Sequence, residues 1–396
     1  MSSHSSLTRK HAERLDAEDP LAALRADFDL EDGRIYLDGN SLGALAKAIP
    51  ARLERVIAEE WGRDLIHGWY RGWMDLPMRV GAKIARLIGA AADEVLVADS
   101  TSVNLYKLAV SALTARPERS VILTENTNFP TDLYILDGMA RHLGRPLEVR
   151  RVPADKMRAA IDESVALVTL SHVHYKTAAV WDMADITLRA HEAGALTLWD
   201  LSHSAGAIPV DLNAANVDLA VGCGYKFLNG GPGAPGFLFV PQRHQEMASP
   251  LTGWMGHARP FDFASDYRPA EGVSRFACGT PPVIGLSALD AALEVFEKTN
   301  IAALYAKAQK LTGMFIDLTE DLPGIRVLSP RMPEARGSQV SLAHPQGGIL
   351  MERLAARGIV GDFRPPDIMR FGFAPLYNCF TETFDAASAL REEIRG

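Results

Sequence analysis

Two residues that follow predicted strands have the types and spacing to carry cofactor chemistry. Asp200 comes directly after the apolar run Leu196–Trp199, and Lys226 lies 26 residues further on, beyond a second apolar run, Leu219–Val221. The carboxyl ends of neighbouring parallel strands lie at one edge of a sheet, and α/β proteins bind their ligands there. We therefore expect both side chains in one site, where the carboxylate can stabilise a cation and the amine can act as nucleophile and base.

A carboxylate and a reactive lysine in this order are typical of enzymes that use pyridoxal phosphate as an electron sink. Asp200 would keep the pyridine nitrogen of the cofactor protonated, and Lys226 would form a Schiff base with the cofactor and later move protons. Each residue has an ordinary alternative. A lone lysine beside glycines is usually solvated, and a lone aspartate after a strand is usually a helix cap. Their joint occurrence favours the cofactor site.

A phosphate group requires free backbone N–H groups at the start of a helix. Thr101 and Ser102 precede a helical pattern that runs to Leu113. Their amides and hydroxyls are therefore candidate phosphate ligands, and a simple N-cap is the alternative.

The segment Asn128–Asp132, after the predicted strand Val121–Thr124, is a second candidate for cofactor contact. We expect Phe129 to stack on the pyridine ring and Asp132 to hydrogen-bond near it, with Pro130 and Thr131 between them. A plain turn is the alternative.

The elements that position these residues alternate along the chain between short apolar runs and helical patterns. The candidate strands are apolar on both faces, which is typical of parallel strands covered by helices: Val121–Thr124, Ala166–Leu170, Leu196–Trp199, Leu219–Val221 and Phe237–Val240. A helix is predicted over Asp182–Ala193, between two of these strands. The pattern predicts an α/β fold with a mainly parallel central sheet.

The chain is predicted to divide into a large α/β domain and a smaller α+β domain. Residues 66–284 form the large cofactor-binding domain and residues 285–396 the small C-terminal domain, which begins with amphipathic helices over Ser287–Thr299 and Ile301–Leu318. Residues 1–65 are predicted to join the small domain. The length of 396 residues is sufficient for both.

Composition excludes several classes of function. With 41 basic and 49 acidic residues the formal charge is −8, which gives no electrostatic reason to bind nucleic acid or an anionic membrane. No apolar run approaches the roughly 20 residues that span a bilayer. Cys223, Cys278 and Cys379 are few and widely spaced, which predicts reduced thiols, a cytoplasmic protein and no zinc site.

Several motifs together resemble the kynureninase family, whose members are fold-type-I pyridoxal-phosphate enzymes of tryptophan breakdown. The Asp200 and Lys226 pair alone is also found in aminotransferases and cysteine desulfurases. Leu37–Gly43 (Leu-Asp-Gly-Asn-Ser-Leu-Gly) and Tyr225–Gly233 are far more specific. The resemblance covers most of the chain and extends to Phe129–Asp132, Asp200–Gly206, Gly253–His257 and Phe363–Asn378.

The resemblance implies hydrolysis of L-kynurenine, with 3-hydroxykynurenine as a further candidate substrate, to anthranilate or 3-hydroxyanthranilate and L-alanine. Lys226 would act as the general base on the α-proton, and Tyr225 as a proton donor in later steps. The resemblance also places Thr101, Ser102, Ser171, His203 and Tyr225 around the phosphate and ring. Trp254 and Thr280 match positions that reach the cofactor of a partner subunit, so a homodimer with shared active sites is implied. Some relatives carry asparagine in place of Thr280.

Substrate recognition is predicted to depend on an arginine and an apolar wall. Arg370 lies in the apolar run Ile368–Phe373, an unfavourable place for an unpaired charge. A buried ion pair is one interpretation, and the resemblance implies the other, a clamp on the substrate carboxylate, with Arg364 as a weaker candidate. Trp69 and Ser41 match family positions that line the aryl pocket.

Alternatives from other classes remain open from the sequence. A cysteine desulfurase would need a mobile nucleophilic cysteine. Gly39–Gly43 matches the Gly-x-Ser-x-Gly motif of serine hydrolases, with Ser41 as nucleophile, although that motif normally follows several strands. His172 and His174 are two apart and could share a face, but no third ligand is evident, so no metal is predicted. A non-catalytic binding protein would leave the Asp200 and Lys226 pair unexplained.

Overall fold

The computed structural model describes residues 7–396, and within them the strands form three sheets. The strands are β1 (Ile35–Tyr36), β2 (Val95–Val97), β3 (Val121–Glu125), β4 (Glu148–Val152), β5 (Val165–Ser171), β6 (Leu196–Asp200), β7 (Leu219–Cys223), β8 (Gly236–Phe239), β9 (Arg326–Val327), β10 (Gln339–Ala343), β11 (Ile359–Val360), β12 (Asp362–Arg364) and β13 (Ile368–Gly372). The helices are α1 (Arg9–Ala17), α2 (Ala48–Arg55), α3 (Leu76–Leu87), α4 (Thr101–Thr114), α5 (Pro130–His142), α6 (Met157–Ala160), α7 (Met183–Glu192), α8 (Val283–Ala292), α9 (Ile301–Thr319), α10 (Gly347–Ala356) and α11 (Phe380–Arg395).

The central sheet has seven strands in the order β2-β8-β7-β6-β5-β3-β4. Four neighbouring pairs, from β7 to β4, are parallel, which confirms the predicted mainly parallel sheet. Strand β8, predicted among the parallel strands, is antiparallel to both neighbours. The reason is that the chain passes from β7 to β8 without a helix, and a parallel pair requires a crossover connection.

Both faces of the central sheet are covered by helices, because side chains alternate across each strand. On one face Val168 and Leu170 pack with residues of α3, α7 and α8. On the other face Leu167 packs with residues of α4 and α5. Helix α7 falls within the predicted Asp182–Ala193, and the Asp182 side chain caps its first turn by accepting the N–H of Asp185 at 3.0 Å.

A four-stranded antiparallel sheet, ordered β12-β13-β10-β9, forms the centre of the C-terminal part. Helices α9, α10 and α11 pack on it, and the rings of Phe315 and Phe371 lie 4.8 Å apart in this second core. Helix α9 begins at Ile301, where the sequence predicted it, and the structure shows Asn300 as its N-cap.

The N-terminal segment contacts both parts of the molecule. Strand β1 pairs in parallel with β11, and the Asp16 carboxylate accepts backbone N–H groups of Phe380 and Thr381 at the start of α11. Leu24 and Ile49 instead lie in the core beneath the central sheet, together with residues of α8. The domain boundaries at residues 65 and 284 remain a prediction. Within residues 7–396, no helix combines the length and apolar character needed to cross a bilayer.

Candidate active site

A cavity of about 230 Å³ lies at the carboxyl edge of the central sheet. Ten residues that were predicted to surround a cofactor line it: Thr101, Ser102, Phe129, Thr131, Asp132, Ser171, Asp200, His203, Tyr225 and Lys226. Three further lining residues, Val173, Tyr175 and Ser202, were not predicted.

Strand register explains why residues distant in sequence meet here. Ser171 and Asp200 are the last residues of β5 and β6 and lie opposite each other in the parallel ladder. Lys226 follows the end of β7, the next strand in the sheet, by three residues. The three strand ends therefore open on one cavity, which is the arrangement expected for ligand sites in parallel sheets.

Side-chain alternation after β5 explains two of the residues that were missed. Residues 171, 173 and 175 line the cavity, whereas His172 and His174 point away from it. His172 Nδ1 lies 2.9 Å from the Ser204 hydroxyl, and His174 Nε2 lies 2.9 Å from the Thr127 carbonyl oxygen. The period of two could have shown that Val173 and Tyr175 share the face of Ser171.

The Lys226 amine lies over two aromatic rings. Its Nζ is 5.7 Å from the ring centre of Phe129 and 5.8 Å from that of Tyr225. The charge of this amine acts on the Asp132 and Asp200 carboxyls of the same cavity, whose pKa values it lowers against the effect of burial.

Two buried carboxyl groups, Asp132 and Asp200, face the same cavity as Lys226. Burial raises the pKa of Asp200, and burial together with the charge of Asp200 raises the pKa of Asp132. Ser202 donates its backbone N–H and its hydroxyl to Asp200 Oδ1, at 2.8 and 2.6 Å. A cation beside the Asp200 carboxylate would be strongly favoured, because it would relieve the cost of the buried charge.

The start of helix α4 forms one wall of the cavity. Its N-cap is Ser100, so Thr101 and Ser102 stand in the first turn, where backbone N–H groups lack partners within the helix. A side chain at Gly236 would lie 2.8 Å from the Thr101 backbone nitrogen, so glycine allows β8 to approach this turn closely. The orphan amides and the helix dipole favour an anion at this position.

Two further polar side chains of the cavity, His203 and Tyr225, have pKa values that burial shifts from their usual values. His203 is buried and its Nδ1 has no hydrogen-bond partner within the described chain. Burial, followed by the charges of Lys226, Arg370 and Arg364, holds the pKa of His203 well below its usual value. Burial raises the pKa of Tyr225 to about 12, so its hydroxyl keeps its proton at neutral pH.

Arg370 lies in a buried ion pair beside the cavity and does not line it. Its Nε donates to Asp362 Oδ1 at 2.6 Å, and its Nη2 donates to Asp362 Oδ2 and, at 3.1 Å, to the Ser41 hydroxyl. Its Nη1 donates to the carbonyl oxygen of Tyr175 at 2.8 Å. The structure thus contains the ion pair that the sequence left open, and the carboxylate clamp remains a prediction.

The remaining predicted residues lie outside the main cavity. Pro130 opens α5 between two lining residues. Thr280 lines a neighbouring cavity of about 560 Å³ that also touches Tyr225. The rings of Trp69 and Trp254 lie 6.0 Å apart in the same chain. Their predicted roles toward the aryl ring and a partner subunit are not tested by these contacts.

The geometry is unfavourable to the other chemistries that the sequence left open. The Ser41 hydroxyl donates to Asp362 at 2.7 Å and accepts from Arg370, and within residues 7–396 no histidine is hydrogen-bonded to it as a base. Cys223 is buried, and burial raises the pKa of its thiol, which opposes a role as nucleophile. Residues 7–396 contain no group of three or more His, Cys, Asp or Glu side chains arranged to hold a metal.

Comparison with known proteins supports the same family that the sequence motifs resemble. The family model of the kynureninase C-terminal domain matches residues 304–390. A kynureninase of Deinococcus radiodurans is 53% identical over 373 residues, covering 92% of this chain and 90% of that protein. A kynureninase of Burkholderia mallei is 47% identical over 396 residues, covering 97% of this chain and 95% of that protein.

Comparison with solved structures confirms the predicted fold class. The apo structure of a cysteine desulfurase from Thermococcus onnurineus NA1 matches with a TM-score of 0.82 at 20% identity, covering 94% of this chain and 98% of that one. At this identity the match bears on the fold alone, and the higher identity to kynureninases separates this chain from the desulfurases. The chain belongs to the kynureninase family.

Proposed function

We propose that this chain hydrolyses the Cβ–Cγ bond of L-kynurenine, or of 3-hydroxykynurenine, with pyridoxal phosphate held on Lys226. The products would be anthranilate or 3-hydroxyanthranilate and L-alanine. The observation that carries the proposal is the cavity that Asp200 and Lys226 share at the carboxyl edge of the sheet. Family membership supports the reaction.

The residues of the cavity fit pyridoxal phosphate. Asp200 offers a buried carboxylate whose bonds from Ser202 both go to Oδ1. His203 Nδ1 is a buried polar atom without a partner in the described chain. Thr101 and Ser102 offer hydroxyls and orphan amides for a phosphate group, and Phe129 offers an aromatic face beside the amine.

When bound, pyridoxal phosphate supplies an electron sink for negative charge at the α-carbon of the substrate. Lys226 holds the cofactor in the resting enzyme and then accepts the α-proton at Nζ. Asp200 stays ionised opposite a positive charge and fixes its position. Tyr225 keeps its proton because burial raises its pKa to about 12. After water has added to the γ-carbonyl and the Cβ–Cγ bond has broken, Tyr225 would donate that proton to Cβ of the alanine fragment, and the aryl fragment would leave as its carboxylate.

Substrate binding is proposed to use the small domain and the N-terminal loop. Arg370 would receive the α-carboxylate by its charge and by the one Nη1 hydrogen that Asp362, Ser41 and Tyr175 leave free. Ser41, bonded to Arg370, and Trp69 would border the aryl ring.

We further propose a homodimer in the cytoplasm, in which Trp254 and Thr280 reach the cofactor of the partner subunit. The exposed side chains near Trp254 support an interface there. Phe263 is 75% exposed and Tyr70 72% exposed, which is unusual for large apolar rings outside a contact surface.

Replacement of Lys226 tests the proposed function. Lys226→Ala should abolish the cofactor absorbance above 400 nm, expected roughly there for a lysine-bound pyridoxal group, and reduce anthranilate release at least about 10³-fold. Lys298→Ala, which removes a surface lysine paired with Asp27, is the matched control and should keep both signals. Full kynurenine cleavage by Lys226→Ala, or sulfide release from cysteine by the wild type without anthranilate formation, would overturn the proposal.

A further inference from the structure

Asp362 stands directly opposite Arg370 in the antiparallel ladder of β12 and β13. Opposed residues in such a ladder point to the same face of the sheet, so the register alone brings the carboxylate to the guanidinium. The contact is bidentate, because Arg370 Nε donates to Asp362 Oδ1 at 2.6 Å and Nη2 donates to Oδ2. A bidentate contact fixes the plane of the guanidinium as well as its position.

Four of the five guanidinium hydrogens of Arg370 have partners in this structure. The Asp362 carboxylate accepts two of these hydrogen bonds, and the Ser41 hydroxyl and the Tyr175 carbonyl oxygen accept one each. These partners belong to the small domain, the N-terminal loop and the cavity wall. Arg370 is therefore held at a junction of three segments, with its orientation set mainly by Asp362.

A second arginine is bound to the same carboxylate. Arg364 Nη2 donates to Asp362 Oδ2 at 2.8 Å, and the Arg364 side chain is 42% exposed whereas that of Arg370 is 2% exposed. Asp362 thus joins a fixed guanidinium to an accessible one. Two guanidiniums that share one carboxylate keep an excess of positive charge.

The positive charges of Arg370 and Arg364 act on a residue that lines the cavity. Both Arg370 and Arg364 contribute to the lowered pKa of His203, which lines the cavity. A second acid, Asp38, also interacts with both arginines. Burial and the charge of Asp362 raise the pKa of Asp38 to about 7, so this second carboxyl is only partly ionised near pH 7 and offsets only part of the positive charge.

We infer that Asp362 is a positioning residue that holds Arg370 and Arg364 together as one receptor for the substrate α-carboxylate. The inference rests on the proposed function, since it presupposes an amino-acid substrate. In this arrangement Arg370 gives the fixed contact, Arg364 gives the accessible one, and Asp362 touches neither the reacting atoms nor the cofactor.

The test compares L-kynurenine with L-kynurenine amide, which lacks the carboxylate charge. For Asp362→Asn we expect KM for L-kynurenine to rise at least about tenfold with kcat within about threefold, because binding and not chemistry is affected. The ratio of kcat/KM between L-kynurenine and its amide should fall by a similar factor. Asp367→Asn is the matched control, since Asp367 pairs with the exposed Arg326 on the same small sheet.

Two outcomes would overturn the inference. One is an unchanged KM in a folded Asp362→Asn variant, and the other is an equal loss for both compounds, which would indicate general disorder of the site. Because removal of a buried partner charge can prevent folding, Asp362→Glu is the second variant. It keeps the charge but displaces both guanidiniums, and it should lower the same ratio while retaining cofactor absorbance. Failure of the proposed function is distinguishable, because the wild type itself would then not cleave L-kynurenine.

Discussion

The backbone N–H of Gly43 donates to the carbonyl oxygen of Tyr225 at 2.8 Å. This bond attaches the N-terminal loop to the residue that precedes Lys226. A Cβ atom at position 43 would lie 2.3 Å from the Lys226 carbonyl oxygen, which is closer than any real contact. Only glycine therefore allows the loop to lie against the lysine segment.

For Gly43→Ala we expect a displaced Lys226 backbone, since the obstructing atom is part of the main chain. The free energy of unfolding should fall by about 1–3 kcal/mol, as for other overpacked sites, and kcat/KM for L-kynurenine should fall at least about tenfold. Urea unfolding measures the first effect and the rate of anthranilate release the second, and the cofactor absorbance spectrum reports the displacement of Lys226. Gly138→Ala, in helix α5 with only the Arg141 side chain 4.0 Å away, is the control and should be neutral or slightly stabilising. A wild-type spectrum and rate for Gly43→Ala would contradict this account.

The relation between Gly43 and Tyr225 illustrates what the sequence could not provide. Asp200 and Lys226 could be predicted, because each follows a strand that is apolar on both faces and parallel strands end at one edge. The contact of Gly43 with Tyr225 joins segments 182 residues apart (225 − 43) and depends on how the N-terminal loop crosses the large domain. No local pattern encodes that crossing.

Other differences between the sequence predictions and the structure have local causes. Strand β4 was missed because it is a partly exposed edge strand of sequence Glu-Val-Arg-Arg-Val, without a continuous apolar run. The Asp362 partner of Arg370 was missed because it depends on the register of a hairpin, although Asp and Arg eight residues apart around a Pro-Pro turn were a usable signal. The meeting of Trp69 and Trp254 is set by tertiary packing and had no such signal.

Lys107 connects the start of α4 to the segment that leads to Thr280. Its fully buried ammonium donates to Asp99 Oδ2 at 2.7 Å and to the Phe276 carbonyl oxygen at 2.7 Å. Asp99 has a left-handed backbone, with φ of 49°, directly before the N-cap Ser100. Burial lowers the pKa of Lys107, and the Asp99 carboxylate opposes that shift.

For Lys107→Met, which keeps the apolar stem, we expect a looser turn around Thr101 and Ser102. The affinity of the apoprotein for pyridoxal phosphate should fall at least about tenfold, and the free energy of unfolding by on the order of 3 kcal/mol, since a buried partner charge is lost. Titration of the apoprotein with pyridoxal phosphate, followed by absorbance, measures the first effect. Lys310→Met, at an exposed position of α9, should change neither quantity. Unchanged cofactor affinity in Lys107→Met would show that the ion pair does not support this wall of the cavity.

Asp218 stabilises the amino-terminal ends of the central strands, which lie away from the cavity. It immediately precedes β7, and its carboxylate accepts the Thr197 backbone N–H at 2.9 Å and lies 2.7 and 2.8 Å from Nε2 of His191 and His244. Although burial acts in the other direction, the hydrogen bonds from His244 and His191 lower the pKa of Asp218 to about 2. The ionised form is therefore favoured by the folded state.

The sign of the pH dependence follows from that lowered pKa. The unfolded chain has an aspartate pKa near 3.9, so the stabilisation is fully present above that value and is lost as pH falls from about 4 to about 2. Asp218→Asn should lower the free energy of unfolding by about 2–4 kcal/mol at pH 7 and flatten its dependence on pH between about 4 and 2, as measured by urea unfolding at each pH. Turnover per folded molecule should stay unchanged, because Asp218 is remote from the strand ends that carry Asp200 and Lys226. The exposed Asp32 is the matched control, and Asp32→Asn should change the stability by less than about 0.5 kcal/mol. An equal pH slope in Asp218→Asn and the wild type would mean that the two imidazoles and Thr197 do not hold this carboxylate in its charged form.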